Sequence, residues 1–144
     1  MKGPGKNEQM MLELERIRER SGSDFVAYAM PAEHYRLMRW NFVIGSRNGR
    51  VGQMKLKPGI GIGGMVLRHG VPYTINDREN PLLLGECPVM LAEKLASAIA
   101  FPVPAESLCS LNGILLLGRR SDQRYDVHEV QGLHTFLHML VESE

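Results

Sequence analysis

Between Pro58 and Gly64 the chain reads Pro-Gly-Ile-Gly-Ile-Gly-Gly, and what flanks this run restricts the fold more than any other feature. Glycines allow backbone to approach backbone or ligand closely, because no Cβ intervenes. Upstream, Val51 to Leu56 reads as a strand, with Met54 and Leu56 inward and Lys55 and Lys57 outward. Downstream, Met65-Val66-Leu67 is a brief apolar stretch that Arg68-His69-Gly70 closes as a short helix with a glycine stop, before a strand over Pro72 to Ile75. Gly59, Gly61 and Gly64 satisfy G-x-G-x-x-G, and Asp77 and Glu79 lie near the place where a dinucleotide fold needs its acid. The short helix decides against that reading, because a parallel sheet requires a full crossover helix. Nor is there a GK[ST] for a phosphate loop.

The rest of the chain alternates in the same way. Residues 7–20 carry Met10, Leu14 and Ile17 at helical spacing with Met11 beside them, and Glu13–Arg16 and Glu15–Arg18 stand close enough to pair. Ser21-Gly22-Ser23 ends this helix, and residues 1–6 read as a frayed start. Phe25 to Met30 is a short strand stopped by Pro31. In a longer strand over 37–44, Met38, Trp40, Phe42 and Ile44 are expected on one face, with a hairpin turn over Gly45 to Gly49. A polar loop over 76–81 precedes a helix that Pro88 opens and that runs to about Ala96. Ala98 to Val103 and Gly113 to Leu117 are strands, the second apolar enough to be central. Asp126 and Glu129 resemble a capping box, and Val130, Leu133, Leu137, Leu140 and Val141 form the stripe of a final helix. The expected class is α+β: one domain over 1–144, with a mainly antiparallel sheet of about five or six strands and helices packed on it.

Composition removes several functions. The formal net charge of +1 provides no global field for nucleic acid or an anionic membrane, and no apolar run is long enough to span a bilayer. The start of the chain lacks the apolar core of a signal peptide, so a cytoplasmic location is expected. Cys87 and Cys109 are not a CxxC and read as reduced thiols, structural or pocket-lining. His134 and His138 stand four apart on the final helix, but no third ligand completes a zinc site, and His128 falls on another face. Arg36, Arg39, Arg47, Arg50, Lys55 and Lys57 bracket the hairpin and read as solvated strand faces. A nucleic-acid groove would want interleaved aromatics and a more basic chain.

The run Arg50 to Val66, with Gly70, Pro72 and Ile75-Asn76-Asp77 after it, resembles the core pattern of GAF domains. In that pattern a strand enters G-x-G-[ILV]-x-G and a short helix. Gly113-Ile114-Leu115-Leu116-Leu117-Gly118 is similar to the family's late central strand, so the likeness extends from about Asp24 to the end. It implies terminal helices on one face of the sheet and short pocket-forming helices on the other. Within the family, Arg39-Trp40-Asn41-Phe42-Val43, the GIGIGG loop and Pro88 to Leu95 look like the bacterial nitrate receptors that partner an oxygen-sensing histidine kinase.

That narrower likeness implies ligand contacts at Trp40, Ile62, Gly63, Pro88 and Val89, with Cys87 beside them where those receptors carry an aromatic residue. Helix starts at Ile62-Gly63-Gly64 and Pro88-Val89-Met90 agree with it chemically. Each offers free backbone N–H groups and about half an elementary charge, which together suit a small monovalent anion. Pro at the first helical position sacrifices no useful donor. The expected function is a non-enzymatic sensor binding nitrate and acting on a sensor histidine kinase, with no cofactor and no metal. Surplus apolar residues such as Phe136 and Met139 mark the terminal helices as the expected partner or homodimer surface. The alternative is a GAF-fold enzyme reducing free methionine sulfoxide through pocket cysteines, although that family's cysteine spacing and the signature of cyclic-nucleotide GAF domains are both missing.

Overall fold

The structure is a computed structural model in which residues 6–32, 35–47, 49–76, 87–104, 111–121 and 123–125 are described. Helix α1 (Lys6–Ser21) leads into strands β1 (Phe25–Ala32) and β2 (Tyr35–Ile44). A 3-10 turn (Val51–Gln53), strand β3 (Lys55–Leu56), helix α2 (Gly61–His69) and strand β4 (Tyr73–Asn76) follow. Helix α3 (Pro88–Glu93) precedes strands β5 (Ser97–Pro104) and β6 (Leu111–Arg119). The six strands form one sheet in the order β3-β2-β1-β6-β5-β4, with every pairing antiparallel. This is the expected α+β class, and β6 is central as its unbroken apolar run requires.

Alternation divides the sheet's side chains between two cores. On one face Val26, Tyr28, Ile99, Phe101, Leu115 and Leu117 pack with Met10, Leu14 and Ile17 of α1. Burial of such an aliphatic or aromatic side chain contributes about 1.5–3 kcal/mol, so this face anchors α1. The other face carries Ala27, Ala29, Ala98 and Ala100 beside Phe25, Ile114 and Leu116, and meets α2 and α3 through Ile62, Val66, Val89 and Met90. Alanines on that side leave room for short helices to lie close to the sheet. Helix α1 stops where Gly22 takes φ +64° and the Ser23 N–H returns to the Arg18 carbonyl at 3.0 Å. The buried Arg119 guanidinium then donates to the carbonyls of Ser21 at 2.6 Å and Gly22 at 3.2 Å, a cation at the negative end of the helix.

Besides β1, which Pro31 does not stop and which runs to Ala32 with Pro31 opposite Met38, three local expectations are corrected. Met38 and Trp40 do face the α2 side, but Phe42 and Ile44 face α1. The cause is a bulge: Tyr28 pairs with Phe42 and Ala29 with Trp40, so Asn41 is an extra residue that reverses the alternation. Its Oδ1 accepts from the Met30 N–H at 2.9 Å. Second, the strand expected over Val51 to Leu56 shortens to Lys55–Leu56, because Val51 is buried through the 3-10 turn. Third, α3 ends at Glu93 rather than near Ala96, since Lys94 adopts the left-handed region at φ 54° and the Leu95 N–H closes on the Met90 carbonyl at 3.0 Å. The final helix expected after Asp126, with its histidines and the surface at Phe136 and Met139, lies outside the described residues, as do residues 1–5, Asp77, Glu79 and Cys109.

Candidate functional site

The glycine run makes a tight corner between β3 and α2. Gly59 and Gly61 sit at φ +81° and +71°, in the region that favours glycine, and the Gly59 N–H donates to the Gly64 carbonyl at 2.7 Å. Gly64 lies so close to the Lys57 carbonyl that a Cβ would fall well inside van der Waals contact. Gly63 faces Trp40 and Leu56, where an added Cβ would lie 2.9 Å from both Trp40 Cζ2 and Leu56 Cδ2. The start of α2 is thereby pressed against the β2–β3 hairpin.

Helix α3 begins beside it. Cys87 is the N-cap and Pro88 the first helical residue. A Cβ on Gly61 would lie 3.5 Å from Pro88 Cδ and 3.6 Å from Cys87 Sγ, so the two helix starts are in contact. The Ile62 N–H donates to Cys87 Sγ at 3.5 Å. The Val89 and Met90 N–H groups also favour negative charge on that sulfur. First-turn N–H groups find no carbonyl within their own helix, and here those of both helices meet at one acceptor, Cys87 Sγ.

A cavity of about 280 Å³ opens there. Trp40, Ile62, Gly63, Cys87, Pro88 and Val89, the six residues expected at the site, all line it. Met54, Leu56 and Ile60 complete its apolar wall, with Lys55 and Lys57 on the hairpin side. Gly61 and Gly64 line it too, and the sequence reading assigned to the site neither these two nor Met54, Lys55, Leu56, Lys57 and Ile60, although adjacency to the glycine run was a usable signal.

The far end of α3 is clamped. Glu93 is 0% exposed and forms an ion pair at 2.8 Å with Arg120, itself 15% exposed. Its carboxylate also accepts from Ser46 Oγ at 2.5 Å and the Arg47 N–H at 2.9 Å. Arg120 donates further to the Glu93 and Gly45 carbonyls, both at 2.9 Å. One buried carboxylate thus ties α3 to the β2 turn and to the end of β6.

No family model matches the chain, and no curated protein matches it significantly. Solved structures do match. A Staphylococcus aureus NreA protein, mutated in its nitrate binding site, is 26% identical, with TM-score 0.74 over 84% of this chain and 90% of that one. The GAF domain of a Coxiella burnetii phosphoenolpyruvate-protein phosphotransferase is 18% identical, with TM-score 0.77 over 98% and 83%. This chain has a GAF-like fold. A type II free methionine-R-sulfoxide reductase from Thermoplasma acidophilum shares that fold, at 14% identity and TM-score 0.74 over 96% and 91%. GAF-like domains that bind and one that catalyses therefore stand among its neighbours.

Cys87 brings a buried thiol into the wall of the GAF-like cavity. At 1% exposure, burial pushes the thiol above its ordinary range, and the three N–H groups only partly offset that shift. A neutral thiol is a weak nucleophile. Among the described residues, no group of three or more His, Cys, Asp or Glu side chains is placed to hold a metal. Among them too, no helix is long and apolar enough to cross a membrane.

Proposed function

We propose that this GAF-like domain is a cytoplasmic, non-enzymatic sensor that binds nitrate in the cavity between α2 and α3 and thereby modulates a sensor histidine kinase. One observation carries the reading: the first turns of both helices converge on a single cavity lined by Trp40, Ile62, Gly63, Cys87, Pro88 and Val89. The likeness to an NreA protein with a nitrate binding site supports the choice of anion. In the complex the first-turn N–H groups that meet at Cys87 Sγ in the free domain turn to the ion and hold it from two directions, and Trp40 closes the wall. A cavity of about 280 Å³ exceeds what nitrate fills, so bridging waters complete its shell. Sulfate is rejected because two helix starts offset only about one charge, leaving the second in an apolar enclosure.

Titration calorimetry with nitrate, chloride and sulfate tests this. Nitrate is expected to bind in preference to sulfate, with Trp40→Ala weakening it and Gly63→Val abolishing it while both variants stay folded. No nitrate heat at millimolar concentration, or binding indifferent to both substitutions, overturns the reading. The sulfoxide-reductase alternative requires Cys87 to ionise readily, whereas its thiol is held neutral. Sulfoxide reduction by the wild type that disappears in Cys87→Ser would promote that alternative.

A further inference from the structure

Although the whole chain carries a formal charge of only +1, the charges are not evenly spread. From Tyr35 to Asn76 there are seven Lys/Arg residues and not one Asp or Glu. This stretch comprises β2, β3, α2 and β4; β2 and β3 form one edge of the sheet and β4 the other, and β3 with the start of α2 walls the cavity.

The concentration is sharpest on the edge itself. Arg39 and Lys55 are direct cross-strand partners, and both are exposed. Lys57, two residues further along, is exposed as well. Among the described residues, none of these three forms an ion pair. Like charges directly opposite on a strand pair destabilise it, so the fold gains nothing from this arrangement. Lysine on an edge strand is a common guard against sheet-to-sheet association, which accounts for Lys55 on β3 and for Lys57 just beyond its end. It does not account for Arg39, which belongs to the second strand and adds its charge directly against Lys55.

We propose that the β2–β3 edge, centred on Arg39, Lys55 and Lys57, is a docking surface for an acidic segment of a protein partner. Carboxylates laid along the edge would neutralise the repelling pair and turn a cost of the free domain into a gain of the complex. Single-stranded nucleic acid is the poorer fit, because its binding needs exposed aromatic platforms and Trp40, the aromatic beside Arg39, is 3% exposed. Lys55 and Lys57 also border the cavity, whereas Arg39 does not line it and belongs to the edge alone.

The test uses the full chain and a fluorescein-labelled octaglutamate peptide, followed by anisotropy at low and at physiological salt. The peptide is expected to bind, more weakly as salt rises, and the double variant Arg39→Gln/Lys55→Gln is expected to lose about three- to tenfold in affinity. Arg16→Gln, which removes an exposed cation from α1, is expected to bind like the wild type. Lys55→Gln alone should unfold at the same temperature as the wild type or higher, because it removes the opposed charge. Equal peptide affinity in the double variant and the Arg16→Gln control overturns the proposal. So does tighter binding of a single-stranded oligonucleotide of equal charge, or a lower unfolding temperature for Lys55→Gln.

Discussion

Replacing Gly63 and Gly64 one at a time by alanine measures how closely α2 is pressed onto the hairpin. Both sit inside the helix, so each substitution gains about 1 kcal/mol of helix propensity. What opposes that gain differs. At Gly63 the new Cβ would lie 2.9 Å from Leu56 Cδ2, which rotates away easily, and from Trp40 Cζ2, which moves less readily. Overpacking of this kind costs about 1–3 kcal/mol, leaving a net loss of about 1 kcal/mol. At Gly64 the obstacle is the Lys57 carbonyl, which has no rotamer to adopt, and separation of the two segments also removes the bond between the Gly59 N–H and the Gly64 carbonyl. Overpacking at the top of its range plus a lost hydrogen bond gives a net loss of about 3 kcal/mol. A difference of about 2 kcal/mol corresponds to a separation of about 1 M between their urea midpoints. Equal midpoints, or a Gly64→Ala protein more stable than the wild type, would refute the close packing of α2 on the loop before it.

Two further outcomes follow from the buried polar groups. Arg120→Met strands the Glu93 carboxylate, and a loss of about 3–5 kcal/mol is expected in urea or thermal unfolding; a loss below 1 kcal/mol would show the clamp to be unimportant. For Cys87, the folded thiol titrates above the unfolded one, so above about pH 8.5 the unfolded state sheds its proton first and stability declines with rising pH. The contribution is fully present below that value, and Cys87→Ala should flatten the alkaline decline, which pH-dependent urea titrations would reveal.

Much of this architecture was legible because period and punctuation agree. Alternation marks β1, β5 and β6, and Gly70 ends α2 in the left-handed conformation its position demands. The two helix starts of the candidate site were legible for the same reason, in the glycines and Pro88, whereas Trp40 was drawn from the likeness to GAF nitrate receptors and not from the pattern. The bulge at Asn41 was not legible, because β2 carries apolar residues for both faces, so a reversal of the alternation leaves no mark in the pattern. Met54 and Leu56 look like any inward strand residues until the cavity forms against them. The clamp joins Ser46, Glu93 and Arg120, residues far apart in sequence whose types resemble ordinary surface polar groups.

The unequal sizes of the side chains on the two faces of the sheet separate durability from recognition. Tyr28, Ile99 and Phe101 fill the α1 side, while Ala27, Ala29, Ala98 and Ala100 stand back to back with them on the cavity side. Each strand therefore carries two nearly independent scripts, interleaved residue by residue. Even-numbered changes in β1, or odd-numbered ones in β5, rewrite the anchor of the domain and leave the cavity side alone. The complementary positions reshape the chamber under α2 and α3 without touching what keeps α1 in place. A ligand preference built on such a sheet can drift by trading one small residue for another, while the opposite face holds the fold steady.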